Sequence, residues 1–291
     1  MNNLPKQLID NEIKSICSRY KIEPESVFKH FNTVIQRHPK LIQKIKANTS
    51  DDISRLKAYK HFIKDVKKTI YYQLRQYHQD TANENDLKQR LANLHVDNDE
   101  SGHMSHIVKD LLASHVSTKE RLPYYDNFYS HLFQLIDPPQ TIIDIGCGLH
   151  PLSYPFKQKT PLKTYFAIDK DVSVIDVLEL FAPHIVPIQL KPVCMNIKDI
   201  VWSDLPDQDA PFDLAIMLKL IPVIHRQDKS ALKQLFEIPA KKILLTGNTE
   251  SMTRRENIRR KEEQILRQYI EMADREIIGY FHNDNEFGMI I

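Results

Sequence analysis

The chain is poor in glycine and cysteine, holds a single tryptophan, and has neither a long apolar run nor a dominant sign of charge. Three cysteines in 291 residues, Cys17, Cys147 and Cys194, are too few and too scattered for a disulfide framework, which points to a reducing compartment. No apolar stretch approaches the roughly 20 residues that cross a bilayer, and no signal-peptide core opens the chain. A soluble, cytoplasmic protein without a membrane partner is therefore expected. Forty basic side chains against 38 acidic ones leave a net charge of +2, so any surface for a polyanion must be local. No Cys-x-x-Cys pair accompanies His103 and His106, and no metal site is expected from them with His115 and Cys147.

The six glycines are Gly102, Gly146, Gly148, Gly247, Gly279 and Gly288. Gly146 and Gly148 stand almost together, directly after an apolar run. Such placement marks a tight backbone turn or the close approach of a ligand.

The pattern changes near residue 138. Before it, amphipathic stretches dominate: 5–20, a second beginning near Pro24, and 51–78 with Ile53, Leu56, Tyr59, Phe62, Ile63 and Val66 in one stripe. Residues 79–102 read as a weak helix between loops, and 103–113 as a further helix. A polar turn at 115–121 then leads into an aromatic helix carrying Tyr124, Tyr125, Phe128, Tyr129 and Phe133. After Pro138-Pro139, short apolar runs at 141–145, 164–168, about 185–190, 212–217 and 242–246 alternate with helical segments. This is the pattern of βαβ units around a parallel sheet covered on both faces. A helix over 251–273 and a β-hairpin, 276–282 and 286–291 around Asn283-Asp284-Asn285, close the chain.

Thr141-Ile142-Ile143-Asp144-Ile145-Gly146-Cys147-Gly148 reads as a buried strand entering a glycine turn, where the backbone can approach a ligand. Asp144 is placed to orient that turn or, through water, a ligand ammonium. Asp169 ends the next strand, about 20 residues beyond the turn, where a carboxylate can accept both hydroxyls of a ribose. Dinucleotide-binding turns carry a third glycine that admits a diphosphate to a helix N-terminus. Here that position is Pro151. The pair of features therefore favours S-adenosylmethionine, a nucleoside ligand without phosphate.

His115-Val116-Ser117-Thr118-Lys119-Glu120-Arg121, followed by Gly146-Cys147-Gly148-Leu149-His150-Pro151-Leu152 and then Leu218-Lys219-Leu220-Ile221-Pro222, resembles the 16S rRNA (guanine-N7) methyltransferases of aminoglycoside resistance. In that family an H-x-S-T-[RK]-E-R turn precedes an aromatic helix, a G-x-G-L-N-P-L-type loop and an L-K-x-L-P segment. Order and spacing agree from about residue 75 to 230. The resemblance implies a Rossmann-like, class I α/β fold: a seven-stranded sheet with an antiparallel C-terminal hairpin. A helical domain over about 1–110, with possible rRNA docking, would precede a methyltransferase domain over 111–291.

By position, the resemblance assigns His115, Val116 and Ser117 to the turn closing over S-adenosylmethionine, and Arg121 to its carboxylate. Gly146 matches the backbone contact and Asp169 the ribose partner. Met195 and Asn196 match the adenine site, Leu218 and Gln227 the remaining cofactor positions, and Tyr77, by spacing alone, an aromatic contact. His150 stands where the family has asparagine. After the fifth strand the chain departs from the family's S-L-G-G-type segment, in the region that faces substrate.

Guanine N7 carries a free lone pair, so its methylation needs alignment and exclusion of water rather than a base. No catalytic residue is assigned. The implied partner is 16S rRNA within the 30S subunit. Two basic clusters qualify for phosphate contact: Arg254, Arg255, Arg259, Arg260 and Lys261, and Lys57, Lys60, Lys64, Lys67 and Lys68. The alternatives are a methyltransferase of the same fold acting on another RNA position or a small molecule, and a cofactor-free RNA-binding protein on a degenerate fold.

Overall fold

The computed structural model describes residues 6–20, 22–45, 50–74, 81–94, 103–156, 160–205, 210–251, 256–283 and 285–291. The chain forms two compact units, Met1–Tyr77 with Ser251–Glu256, and His78–Glu250 with Asn257–Ile291.

The first unit is helical: α1 (Lys6–Tyr20), α2 (Pro24–Ile35), α3 (Pro39–Ile45), α4 (Ser50–Arg55) and α5 (Lys57–Leu74). Its core joins Ile16, Phe31, Phe62 and Val66, and the Phe31 and Phe62 rings meet edge to face at 5.5 Å. The helix expected over 51–78 is interrupted at Leu56. There Leu56 N bonds Ile53 O at 3.1 Å, a tightened turn, before Lys60 N resumes on Leu56 O. The short α3 was not anticipated. Pro39 sits at its first position, where a missing N–H costs nothing.

The second unit contains α6 (Thr81–Ala92), α7 (His103–Ser114), α8 (Val116–Lys119), α9 (Tyr125–Leu135), β1 (Thr141–Ile145), β2 (Thr164–Asp169) and α10 (Val172–Phe181). It continues with β3 (Gln189–Cys194), β4 (Phe212–Met217), α11 (Leu220–Gln227), α12 (Leu232–Phe236), β5 (Ala240–Asn248), α13 (Arg259–Met272), β6 (Gly279–Asn283) and β7 (Glu286–Ile290). The seven strands form one sheet in the order β3-β2-β1-β4-β5-β7-β6. Strands β1 to β5 pair in parallel, whereas β7 lies antiparallel to both β5 and β6. One face packs through Ile142, Tyr165 and Leu214, the other through Ile143, Phe166 and Ile243. Covering both faces explains why these strands read as continuous apolar runs.

Helices α6 and α7 share the first of these cores through Leu87, Leu91, Ile107 and Leu111. The units therefore divide at Tyr77/His78, well before the boundary placed at about 110. The third strand begins at Gln189 rather than near 185, because Ala182–Ile185 form a 3-10 turn and Pro187 has no N–H for a ladder. Helix α13 begins at Arg259 rather than 251. Asn257 bridges Glu250, and from the position before the N-cap residue Ile258 its Oδ1 accepts the first helical N–H, Arg259 N, at 3.1 Å. Arg254 and Arg255 lie outside the described residues. Among the described residues no helix is long and apolar enough to cross a membrane.

Candidate ligand site at the carboxyl edge of the sheet

Parallel pairing brings the ends of β1, β2, β4 and β5 to one edge, and the register Asn248↔Glu286 places the start of β7 beside them. The turn after β1 is held onto β2, with Gly146 N and Cys147 N both bonding Ile168 O, at 2.8 and 3.1 Å. Gly146 (φ +64) and Gly148 (φ +51) are left-handed, a conformation that disfavours any side chain. A Cβ on Gly146 would meet Leu220 Cδ1 at 2.8 Å, and one on Gly148 would meet the His115 ring at 3.3 Å. The bare backbone thus lets Leu220 and His115 close onto the turn, a reason for glycine beyond ligand approach.

Asp169 is integral to this turn. Its Oδ2 accepts Gly148 N at 2.9 Å and its Oδ1 accepts Asp171 N at 3.0 Å. Each carboxylate oxygen retains a lone pair, so the group is oriented and still able to accept hydroxyl donors. Burial raises its pKa, with the backbone N–H donors of Gly148 and Asp171 working against that rise. Met195 N bonds Asp169 O at 2.9 Å, which sets the segment after β3 next to it. Asn196 is exposed, and its Oδ1 accepts Lys198 N at 3.2 Å.

His115 stands at the N-cap position of α8 without a side-chain cap bond, its Nδ1 lies 3.0 Å from Ser117 Oγ, and Val116 is half-buried. Arg121, only 4% exposed, donates Nη1 to Ser117 O at 3.2 Å. Its Nε and Nη2 grip Glu286, at 2.6 and 2.9 Å. Asp169 is thus bonded to Gly148, the His115 ring stands beside that glycine, and His115 and Arg121 both meet Ser117. Leu218 is half-buried against the core at the end of β4. Gln227 is exposed at the far end of α11, roughly 10 Å along the helix axis from Leu220. Tyr77 lies outside the described residues.

Beneath the turn lies a buried polar network. His150 Nδ1 donates to Asp144 Oδ2 at 2.7 Å, which also accepts the Tyr165 hydroxyl at 2.9 Å. His150 Nε2 lies 3.1 Å from the Tyr129 hydroxyl, and the two rings stack at 5.9 Å. Asp144 is 1% exposed. Its partners are the His150 ring, just past the glycine turn, and the Tyr165 hydroxyl. The His150 departure is thereby accommodated by Tyr129 and Asp144. Burial, with Asp144 and Asp169 adding to it, pushes the Cys147 thiol well up, so this residue is no thiolate nucleophile.

Glu286, Thr246 and Lys219 carry no sequence signal that marks them as site residues. Glu286 is visible only as a lone carboxylate heading an apolar strand. Lys219 has φ 57, left-handed for a residue with a side chain. Among the described residues no group of three or more His, Cys, Asp and Glu side chains gathers where it could hold a metal.

The family model described as "Ribosomal RNA methyltransferase (FmrO)" matches residues 69–275, well over half of the chain. The chain belongs to this family. Its match takes in β1 to β5 and every described site residue except Glu286. The chain is 28% identical over 145 residues to a "16S rRNA (guanine(1405)-N(7))-methyltransferase" of Micromonospora rosea, covering 50% of each protein. It is 31% identical over 148 residues to an enzyme of the same description from Proteus mirabilis, again covering 50% of each. The chain thus spans about half the length of the curated relatives it matches. A solved structure of the 16S rRNA methyltransferase RmtF with S-adenosyl-L-homocysteine superposes with a TM-score of 0.54 at 17% identity, covering 98% of both chains. At that identity the likeness shows the shared fold.

Proposed function

We propose that this family member transfers a methyl group from S-adenosylmethionine to N7 of a guanine in 16S rRNA, in the decoding region of the 30S subunit. The work would be done in the cytoplasm, with aminoglycoside resistance as its consequence. The observation that carries this reading is the oriented Asp169 carboxylate on a left-handed glycine turn, with the His115 ring beside Gly148. The residues present fit a nucleoside with an amino-acid tail. Asp169 has lone pairs for ribose hydroxyls, Met195 offers an apolar face and Asn196 an amide N–H₂ for the adenine edge, and Arg121 answers the carboxylate. His115, Val116 and Ser117 would close over the turn, Leu218 and Gln227 complete the assignment, and Tyr77 is carried over by spacing alone.

S-adenosylmethionine, when bound, supplies the methyl group as an electrophile. The chain's contribution is to hold reactants in line and keep water out, since guanine N7 needs no deprotonation. The arrangement accordingly asks for no acid–base pair. Methylation of purified 30S subunits with labelled cofactor tests the reading, followed by chain cleavage at N7-methylguanine and primer extension. A single labelled guanine in 16S rRNA is expected. Label found elsewhere in the RNA, or only in small molecules, would refute it.

Phosphate contacts should come from exposed basic faces. Arg259, Arg260 and Lys261 are exposed at the start of α13, whereas Glu262 is fully buried and paired with Arg226. Lys57, Lys60 and Lys64 are likewise exposed on α5, opposite buried Tyr59, Phe62 and Val66, while Lys67 is half-buried on Glu12 at 3.4 Å. Reversing Arg260 and Lys261 to glutamate should weaken 30S binding and lower its salt slope by about one per lost phosphate contact. Cofactor affinity should stay constant in calorimetry. A parallel loss of both would remove α13 from the RNA interface.

A further inference from the structure

Glu286 is the lone charged residue of β7 and is 2% exposed. It receives Arg121 Nε and Nη2 side-on, and the Thr246 hydroxyl donates to its Oε1. Thr246 Oγ1 in turn accepts the backbone N–H of Lys219 at 2.9 Å, and Lys219 Nζ donates to Glu120 Oε2 at 2.8 Å. Because Glu120 and Arg121 are neighbours in the chain, these contacts close a ring. It joins the segment after α8 to the ends of β4 and β5 and the start of β7. Two carboxylates and two cations make the ring neutral, which avoids the penalty of an unpaired buried charge. Stability alone does not call for it, since apolar residues of the same volume often do as well. A buried ion pair does, however, fix direction.

The guanidinium carries five N–H groups in a rigid plane. Its Nε–Nη2 edge is spent on Glu286, and Nη1 reaches Ser117 O at 3.2 Å. What remains for a second planar acceptor is the edge between Nη1 and Nη2. Beside the same guanidinium lies the buried Tyr125 hydroxyl, which has the Arg121 and Ser153 side chains close by but neither in well-formed hydrogen-bonding geometry. A buried hydroxyl so loosely satisfied can turn its proton to an acceptor that arrives beside Arg121.

Resting on the cofactor reading above, we infer that Glu286 is the positioning residue for the cofactor's amino-acid carboxylate. It holds Arg121 by one edge so that the other edge, with the Tyr125 hydroxyl, receives the carboxylate. Through Thr246 it ties this receptor to the left-handed turn at Lys219.

Calorimetry on the full chain with two probes tests this. S-adenosylhomocysteine carries the carboxylate, whereas 5′-methylthioadenosine has the same nucleoside and thioether without the amino-acid tail. Glu286→Gln should weaken S-adenosylhomocysteine about tenfold, equivalent to ~1.4 kcal/mol, and move 5′-methylthioadenosine by less than about twofold. Equal losses for both ligands would make Glu286 merely structural and overturn the inference. So would an unchanged or tighter S-adenosylhomocysteine complex. If Glu286→Gln does not fold, Thr246→Val carries the test: a smaller loss of the same selectivity is expected, with Thr246→Ser restoring the wild-type ratio. A Thr246→Val protein with an unaltered ratio would also overturn it. Wild-type protein that binds neither probe would defeat the cofactor reading itself, an outcome distinct from a variant that fails to discriminate.

Discussion

Glu286→Gln should lower folding stability by about 3–5 kcal/mol at neutral pH, the range for breaking a buried ion pair. Burial alone would raise the Glu286 carboxyl. The charges of Arg121 and Lys219, with hydrogen bonds from Arg121 and Thr246, overcome that and hold it down at about 2, against an ordinary value of 4.5. A carboxyl whose pKa is depressed by folding contributes stability above its unfolded value and loses it as pH falls toward the folded value. The difference between wild type and variant in urea unfolding should therefore be constant above pH 4.5 and shrink between 4.5 and about 2. A protonated glutamate and a glutamine are both neutral there, so the two proteins should converge. A difference that persisted undiminished at the acid end would place the cost in packing rather than in charge.

Asp169→Ala should weaken S-adenosylhomocysteine about 30-fold, or ~2 kcal/mol, through loss of the acceptor for ribose hydroxyls. Part of that loss is expected to be indirect, because Gly148 N and Asp171 N lose their acceptor as well. Asp169→Asn separates the two contributions. Its remaining carbonyl oxygen can still take one backbone N–H, so the turn should survive better than the ribose contact. Calorimetry reads the affinity, and backbone amide exchange at Gly148 reads the turn. Unchanged affinity in Asp169→Ala would remove the carboxylate from the ligand site.

Neither prediction was equally open to inspection of the residues. Asp169 announces itself: an acidic side chain closing an apolar run, at a characteristic distance beyond paired glycines. Glu286 does not. Its partner Arg121 is 165 positions away, and only antiparallel β7 beside β5 brings them together. Glu262 is comparable. Among neighbouring charges it reads as one more surface residue, yet its side chain turns inward to Arg226 and to Asn248 N, the latter at 3.2 Å. Asn196 shows the reverse case. Its place after β3 was legible, but part of its hydrogen-bonding capacity is already committed to capping its own turn.

Alternation of short apolar runs with helical segments was enough to establish the α/β class, the chain order of the strands and the glycine turn. These follow from local periodicity and from the backbone freedom of glycine, both written within a few residues. Strand order across the sheet, the boundary at Tyr77/His78 and the ring through Glu120, Arg121, Glu286, Thr246 and Lys219 were decided in three dimensions. Long-range pairing sets which side chains share a dry, low-dielectric space, and there a partner's charge outweighs anything a residue's own neighbours dictate.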